Sequence, residues 1–355
     1  MRSEPVKGRG IGTRPDGRFA SRRVDTTGSD RPDDAEEIAP ETRLIATTAR
    51  GIISRNSSPD IPFDASINPY QGCEHGCAYC YARPSHSYLD LSPGVDFETQ
   101  IYFKANAAER LLATWKKPGY VPEPITIGAN TDPYQPAEKR LKITRALLEL
   151  FLEHRHPVSL ITKGTLIDRD LDVLAELSDR HLCSVAVSIP TANNVLKRRL
   201  EPRVPAATAR FRVVERLTKA GVPVTVMMAP IIPALNDNEI EAIVERAAAS
   251  GASAAAWILL RLPHELKSLF ADWLDQHYPD RARHVISLVR QASGGRDYDN
   301  RFGVRQRGTG EYAGMIGQRF RAACSRYGLN RPDARQNLDC TQFVRPAEKQ
   351  ISLPF

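Results

Sequence analysis

Between about residue 66 and residue 262 the chain alternates short apolar runs with stretches whose apolar positions recur at helical spacing. The runs are ITIGANT (125–131), VSLITKG (158–164), CSVAVSI (183–189), VPVTVMMAPI (222–231) and AAAWILLRL (254–262), with a further short one near Ser66–Gly72. They are continuous rather than strictly alternating, which predicts parallel strands covered on both faces. The stretches 137–155, 169–180, 205–220 and 238–250 predict amphipathic helices between them. Pro157 and Pro223 follow two of these helices, and Gly221 and Gly251 stand where helix C-caps favour glycine. About six β-α units result. Such units either close partly into a barrel or open into a doubly wound sheet, and both place functional residues at the C-terminal ends of the strands.

The flanks read differently. Residues 1–58, rich in glycine, proline and charges of both signs, predict a flexible N-terminal arm. Within it, Gly8-Arg9-Gly10-Ile11-Gly12 superficially resembles a dinucleotide loop, but no strand precedes it and no apolar helix follows, so it is read as tail. Residues 59–290 form the α/β body and 291–355 an Arg-rich C-terminal extension or cap. The stretch 290–335 holds ten Arg, no Lys and four acidic residues, so 10 − 4 = +6 of the formal +7 lies there. Tyr298, Phe302, Tyr312, Phe320 and Tyr327 are interleaved with the arginines. Guanidinium groups fit phosphates and aromatic rings stack on bases, so a DNA or RNA contact surface is one expectation. The other is a cap whose arginines pair with acids on the body, and Phe320, Ala323 and Tyr327 at helical spacing suit it.

Composition removes several classes. No run of about 18 apolar residues exists to span a membrane. The N-terminus lacks the apolar segment of a secretory signal. Six cysteines in 355 residues are too sparse for a disulfide scaffold, so a cytoplasmic, reducing location is expected. In that setting clustered cysteines point to metal or redox chemistry.

Three of them are clustered, as Cys73, Cys77 and Cys80 in a C-x3-C-x2-C pattern directly after the first apolar run. Three thiolates on a short loop can hold three irons of a cubane cluster and leave the fourth open to a substrate or cofactor. A zinc knuckle completed by His75 or His86 is the competing assignment. Buried, unligated thiols fit poorly with so polar a loop. Cys183 begins its run and reads as a structural thiol, while Cys324 and Cys340 are too few for an auxiliary cluster.

The cysteine spacing, the aromatic residue before the last cysteine and the following β-α units resemble the radical SAM superfamily. CEHGCAYCYAR followed by TDPYQPAE is similar to its spore photoproduct lyase-like branch, over roughly residues 58–263. The resemblance implies a partial (β/α)6 TIM-type barrel. It also implies a [4Fe–4S] cluster on Cys73, Cys77 and Cys80, and S-adenosylmethionine (SAM) cleaved there to a 5′-deoxyadenosyl radical that abstracts hydrogen from a substrate. Carried over position by position, it sets Tyr79 beside the adenine and Thr131 and Asp132 at the methionine moiety. Lys163 falls at the carboxylate, Ser188 at a ribose hydroxyl, and Glu201 and Arg203 at the ribose or carboxylate. Met228–Ile231 would contribute backbone, and Tyr79 and Tyr81 could relay a radical. A nucleic-acid, DNA-repair-like substrate and a reducing partner such as flavodoxin or ferredoxin go with this reading.

One departure stands out. Spore photoproduct lyases return hydrogen from a cysteine in the position near Ala129–Thr131, and this chain has no thiol there. Thymine-dimer reversal is therefore not expected. Radical modification of a peptide or small molecule stays open beside the nucleic-acid reading, as does a non-catalytic, zinc-stabilised nucleic-acid-binding protein.

Overall fold

A computed structural model describes residues 8–19, 41–332 and 337–347. Among them run ten strands: β1 (Arg43–Thr47), β2 (Ile53–Arg55), β3 (Ala65–Ile67), β4 (Tyr70–Gln71), β5 (Gln100–Lys104), β6 (Ile125–Ile127), β7 (Val158–Thr162), β8 (Cys183–Ser188), β9 (Val224–Ile231) and β10 (Ala254–Leu259). The main sheet has the order β10-β9-β8-β7-β6-β3-β2. From β3 to β10 all neighbours are parallel, and β2 adds an antiparallel edge to β3. The six parallel strands are those the apolar runs marked, wound with their helices into a partial TIM-type barrel. A small second sheet, β1-β5-β4, sits beside the first loop.

Each strand but β9, which ends with its run at Ile231, ends earlier than its apolar run. Residues 128–131, 163–164 and 260–262 leave the sheet and become loops at its C-terminal rim. Burial also alternates where the sequence suggested two covered faces: Val158, Leu160 and Thr162 on β7, and Val185 and Val187 on β8, are buried, while the residues between them are half-buried. β9 and β10 repeat the pattern. Successive side chains point to opposite faces, so the buried set packs outward under the helices and the other set lines the barrel interior. That inner face carries Ser159, Ser184, Ala186, Thr225, Ala254 and Ala256. Ile161, Met227 and Ile258 share that face, but most of its residues are small or hydroxylic. The small and hydroxylic ones count as neither clearly apolar nor clearly polar, which is why the runs looked continuous.

Two further expectations are corrected. The helix expected over 137–155 is broken: Glu138–Leu141 and Ile143–Glu153 are separated by Lys142 in a left-handed conformation. The buried Glu138 carboxylate accepts the backbone N–H groups of Thr144 and Arg145 at 3.1 and 3.3 Å, capping the second segment. The expected N-terminal arm is in part folded onto the body. β1 and β2 lie in it, and Gly10 and Ile11 are buried. Part of the same stretch, 1–7 and 20–40, lies outside the described residues, as do 333–336 and 348–355 of the C-terminal extension.

Downstream, helix Gly310–Arg326 packs on helix Ile240–Ala249 and on β10. The exposed edge of β10 is covered by chain rather than by another strand: Leu259 N–H donates to Gln306 O at 2.8 Å, and Asn330 brackets Ala255 with bonds of 3.0 and 2.9 Å. Residues 337–347 then cross to the opposite end of the barrel, where Val344 N–H donates to His154 O at 2.8 Å. Cys340 goes with them, away from the cysteine loop, and the buried Cys183 thiol donates to Leu174 O at 3.3 Å in a structural role.

Candidate active site

The loop 73–80 leaves β4 and crosses the C-terminal rim of the barrel. Cys73 and Cys77 are buried and Cys80 is half-buried, none in a disulfide. Backbone bonds fold the loop into consecutive turns, Gly76 N–H to Cys73 O, Cys80 N–H to Cys77 O and Arg83 N–H to Cys80 O. Burial raises the Cys73 thiol well above its ordinary range, and Asp132, Cys77 and Cys80 add to the rise. The Cys77 thiol is raised by burial and by Glu201, with Lys163 acting in the opposite sense. Three thiols, two carboxylates and an ammonium group thus share one neighbourhood.

The surrounding loops come from successive strands. Asp132, after β6, accepts from Thr162 Oγ1 (2.7 Å), Tyr134 N (2.9 Å) and Lys163 N (2.7 Å), and His75 Nδ1 lies 3.2 Å from it. Burial pushes the Asp132 carboxyl up, but His75, Thr162 and the Lys163 N–H outweigh it and hold it at about 2. These donors occupy the acceptor sites a carboxylate has. Asp132 therefore ties β6, β7 and the cysteine loop together. Thr131 Oγ1 donates to Tyr70 O at 2.7 Å and fixes the start of the same loop.

Lys163 and Ser188 continue the inward parity of β7 and β8. The Lys163 ammonium lies 5.9 Å from the centre of the Tyr79 ring. Burial disfavours its charge, but Cys77, Glu201 and Asp132 hold it protonated above the ordinary lysine range. Tyr79 is buried, and its hydroxyl donates to Glu201. Glu201 in turn accepts from Arg210 at 2.7 Å, both fully buried, and Arg210 donates to Ser188 O at 2.7 Å. Arg203 points elsewhere, to Glu74 on the cysteine loop at 3.2 Å. Met228–Ile231 form the end of β9, with Met228, Pro230 and Ile231 buried.

Tyr81 stands apart from Tyr79. It is 44% exposed at the rim, and its hydroxyl donates to Ala129 O. Arg261, just past β10, lies between the rings of Tyr81 (5.3 Å) and Tyr298 (5.9 Å) and donates to the Tyr298 hydroxyl at 3.2 Å. The cap thereby reaches the barrel mouth.

The family model described as the radical SAM superfamily matches residues 67–247, which include the cysteine loop and the loops after β6, β7 and β8. This chain belongs to the radical SAM superfamily. An uncharacterized protein of Mycobacterium tuberculosis is 36% identical over 233 residues, 65% of this chain and 68% of the relative. One of Methanocaldococcus jannaschii is 28% identical over 214 residues, 60% of this chain and 76% of the relative. Among solved structures, spore photoproduct lyase complexed with dinucleoside spore photoproduct aligns with a TM-score of 0.58 at 17% identity, covering 80% of this chain and 79% of that one. That likeness is one of fold.

This radical SAM enzyme also relies on residues its sequence did not single out. Arg83 is fully buried; its Nε donates to Cys77 O at 3.0 Å and its terminal nitrogens to Pro93 O, Gly94 O and the Glu98 carboxylate. Gln135 accepts from Glu74 N–H at 2.9 Å and donates to Gly72 O at 3.2 Å. Arg210 had a signal: it falls on the stripe of Val214 and Leu217, so its place on the buried face of helix Ala207–Lys219 was readable. Arg83 and Gln135 had none, because they bond mostly backbone groups, which no residue pattern marks.

Proposed function

We propose that this radical SAM enzyme holds a [4Fe–4S] cluster on Cys73, Cys77 and Cys80 and generates from SAM a 5′-deoxyadenosyl radical that abstracts hydrogen from a nucleic-acid substrate. The observation that carries the cofactor reading is the donor set, three cysteine thiols held together on one loop at the barrel rim. Thiolates suit iron–sulfur clusters, and three of them leave one iron of a cubane open. Zinc completed by a histidine is the competing reading: His86 Nε2 bonds Gln100 O at 3.1 Å, but its Nδ1 is buried without a partner, and metal content decides between the two.

When bound and reduced, the cluster supplies the electron that cleaves the SAM sulfonium bond. The chain's own part is binding, orientation and exclusion of water. Lys163, held charged, suits the SAM carboxylate through a charge-assisted bond, and Ser188 suits the ribose. Tyr79 offers a ring beside the adenine, its angle fixed by Glu201 and Arg210. Asp132 and Arg203 act through other residues, Asp132 by setting the β6 and β7 loops and Arg203 by holding Glu74. Thr131 anchors the entry to the loop.

Two features support a nucleic-acid substrate. The Tyr81–Arg261–Tyr298 stack offers aromatic faces and a cation at the mouth. Arg296, Arg307, Arg321 and Arg331 make no ion pair among the described residues. A peptide or small-molecule substrate is favoured instead by the pairing of four other cap arginines: Arg290 with Asp297, Arg301 with Asp299, Arg305 with Asp60 and Arg319 with Glu241. A flavodoxin or ferredoxin in the cytoplasm is the electron donor this chemistry calls for. Anaerobic reconstitution with iron and sulfide tests the cofactor. The expected result is a reduced-cluster EPR signal that shifts on adding SAM and vanishes in the triple variant Cys73→Ala, Cys77→Ala, Cys80→Ala. Stoichiometric zinc uptake with no such signal would contradict it.

A further inference from the structure

Residues 10 and 11 of the N-terminal segment 9–18 lie against the cysteine loop, the rest of the segment runs over residues 87–98 beside it, and the fit at Gly10 is tight. A Cβ on Gly10 would stand 1.6 Å from the carbonyl oxygen of Gly76, the residue before Cys77, and 3.4 Å from Ala78 N. Both contacts are backbone, so neither can rotate away. Gly10 and Ile11 donate their N–H groups to the two oxygens of Glu98 at 3.0 and 3.1 Å. Glu98 is fully buried and also pairs with Arg83, whose Nε holds Cys77 O at 3.0 Å. Ile11 is 4% exposed and shares an apolar cluster with Cys77, Ala78 and Tyr79. Further along, Val95 N–H donates to Thr13 O at 3.1 Å, Ser92 Oγ to Pro15 O at 2.7 Å, and Arg14 pairs with Asp96 at 2.7 Å. The strap ends where Arg18 donates its N–H and a guanidinium N–H to Glu265 at 3.0 and 3.2 Å, beyond β10.

We infer that segment 9–18 is a strap that closes the outer wall of the cysteine loop, with Gly10 as its seat and Glu98 as the positioning residue joining strap to loop. The strap shields the three thiols, and any cluster on them, from solvent and oxidants. It meets the loop at Gly76 and Ala78 and is held there by Glu98 and by bonds to the segment 92–98. The inference rests on the cluster reading for its purpose and on the observed contacts for its geometry.

The test is cysteine-resolved alkylation of the full-length apo-protein, read by mass spectrometry, for wild type, Gly10→Ala and Gly51→Ala. Gly51 has nothing within 4 Å of an added Cβ and is the control. Cys183, buried at the start of β8, reports global opening. The strap predicts that Gly10→Ala alkylates Cys77 about tenfold faster or more, a local opening that leaves Cys183 at its wild-type rate. Glu98→Ala should act alike, and Glu98→Gln, which keeps acceptor oxygen, should be rescued in part. Unchanged Cys77, or Cys77 and Cys183 accelerated together, would overturn the inference. After reconstitution, Gly10→Ala should bleach faster in air than Gly51→Ala, and equal bleaching would also overturn it. A wild-type protein that takes up no cluster would sink the cluster reading instead, and the alkylation result would still decide the strap.

Discussion

Glu201 shows how the order of this site rests on buried charge. Its two oxygens serve Tyr79 and Arg210, and Arg210 reaches on to the Ser188 carbonyl. Burial would raise its carboxyl, but Arg210 and Lys163 keep it below the ordinary glutamate range. A pair so deeply buried adds little net stability over an apolar pair, yet leaving one member alone is costly. Arg210→Met should therefore lower the unfolding free energy of the apo-protein by about 3–5 kcal/mol, and adding Glu201→Gln should recover part of it. Chemical denaturation of the two variants checks this; strict additivity would show that the ion pair is not what couples them. At this scale the sequence was readable where chemistry is local. The C-x3-C-x2-C spacing marks three thiols that the fold indeed holds on one loop. Glu98 was invisible because it meets Gly10 across 88 positions of chain, and Arg83 because its bonds go to backbone carbonyls and to Glu98, which no spacing encodes. Asp132, Thr131 and Glu201 were found as positions, but their bonds show them fixing the loops rather than reaching outward.

Elements were legible to the extent that outward-facing side chains define them. Val, Leu and Ile on the covered face of β7 to β9 marked each strand, while Ser, Thr and Ala on the inner face concealed the alternation. The ends were misjudged because an apolar run continues into the rim loops. The interruption at Lys142 was hidden for a different reason: Glu138 in a helical pattern gives no sign that its carboxylate will turn back and cap the next segment. At the far end of the barrel, the approach to β7 carries an aromatic cluster in which His156 stacks on Trp115 at 4.7 Å and meets Tyr120 and Phe343. Phe343 belongs to the C-terminal segment, so this cluster docks the tail. Burial pushes His156 down to about 4. The unfolded chain, with histidine near 6.5, binds the additional proton between those values. Stability is therefore full above about pH 6.5, falls as pH drops toward about 4, and levels off below, a loss of about 3 kcal/mol from this residue. His156→Phe should flatten that limb in urea midpoints measured across the pH range. An unchanged slope would remove His156 as its source.

The whole molecule is a barrel whose two ends are finished by the parts of the chain outside it. The N-terminal strap and the Arg-rich cap each reach the C-terminal rim, the strap through Arg18 on Glu265 and the cap through Tyr298 on Arg261. The segment 337–347 closes the opposite end. Charge counting marked the cap but did not reveal that four of its arginines are neutralised by acids in place. If the remaining ones meet phosphates, binding of generic single-stranded DNA should weaken with salt along a log–log slope of about −0.7 per phosphate contacted. Replacing Arg296, Arg307 and Arg321 together by Ala should make that slope shallower. A flat dependence in the wild type would move the substrate toward a peptide or small molecule. None of the described helices is long and apolar enough to cross a membrane. The central claim is that the rim loop, Lys163 and Tyr79 together support reductive cleavage of SAM. The most direct measurement is 5′-deoxyadenosine released from anaerobic, cluster-loaded protein given SAM and dithionite. The account predicts product above background that is lost in the triple cysteine variant. A cluster-loaded wild type yielding no more 5′-deoxyadenosine than that variant would contradict it.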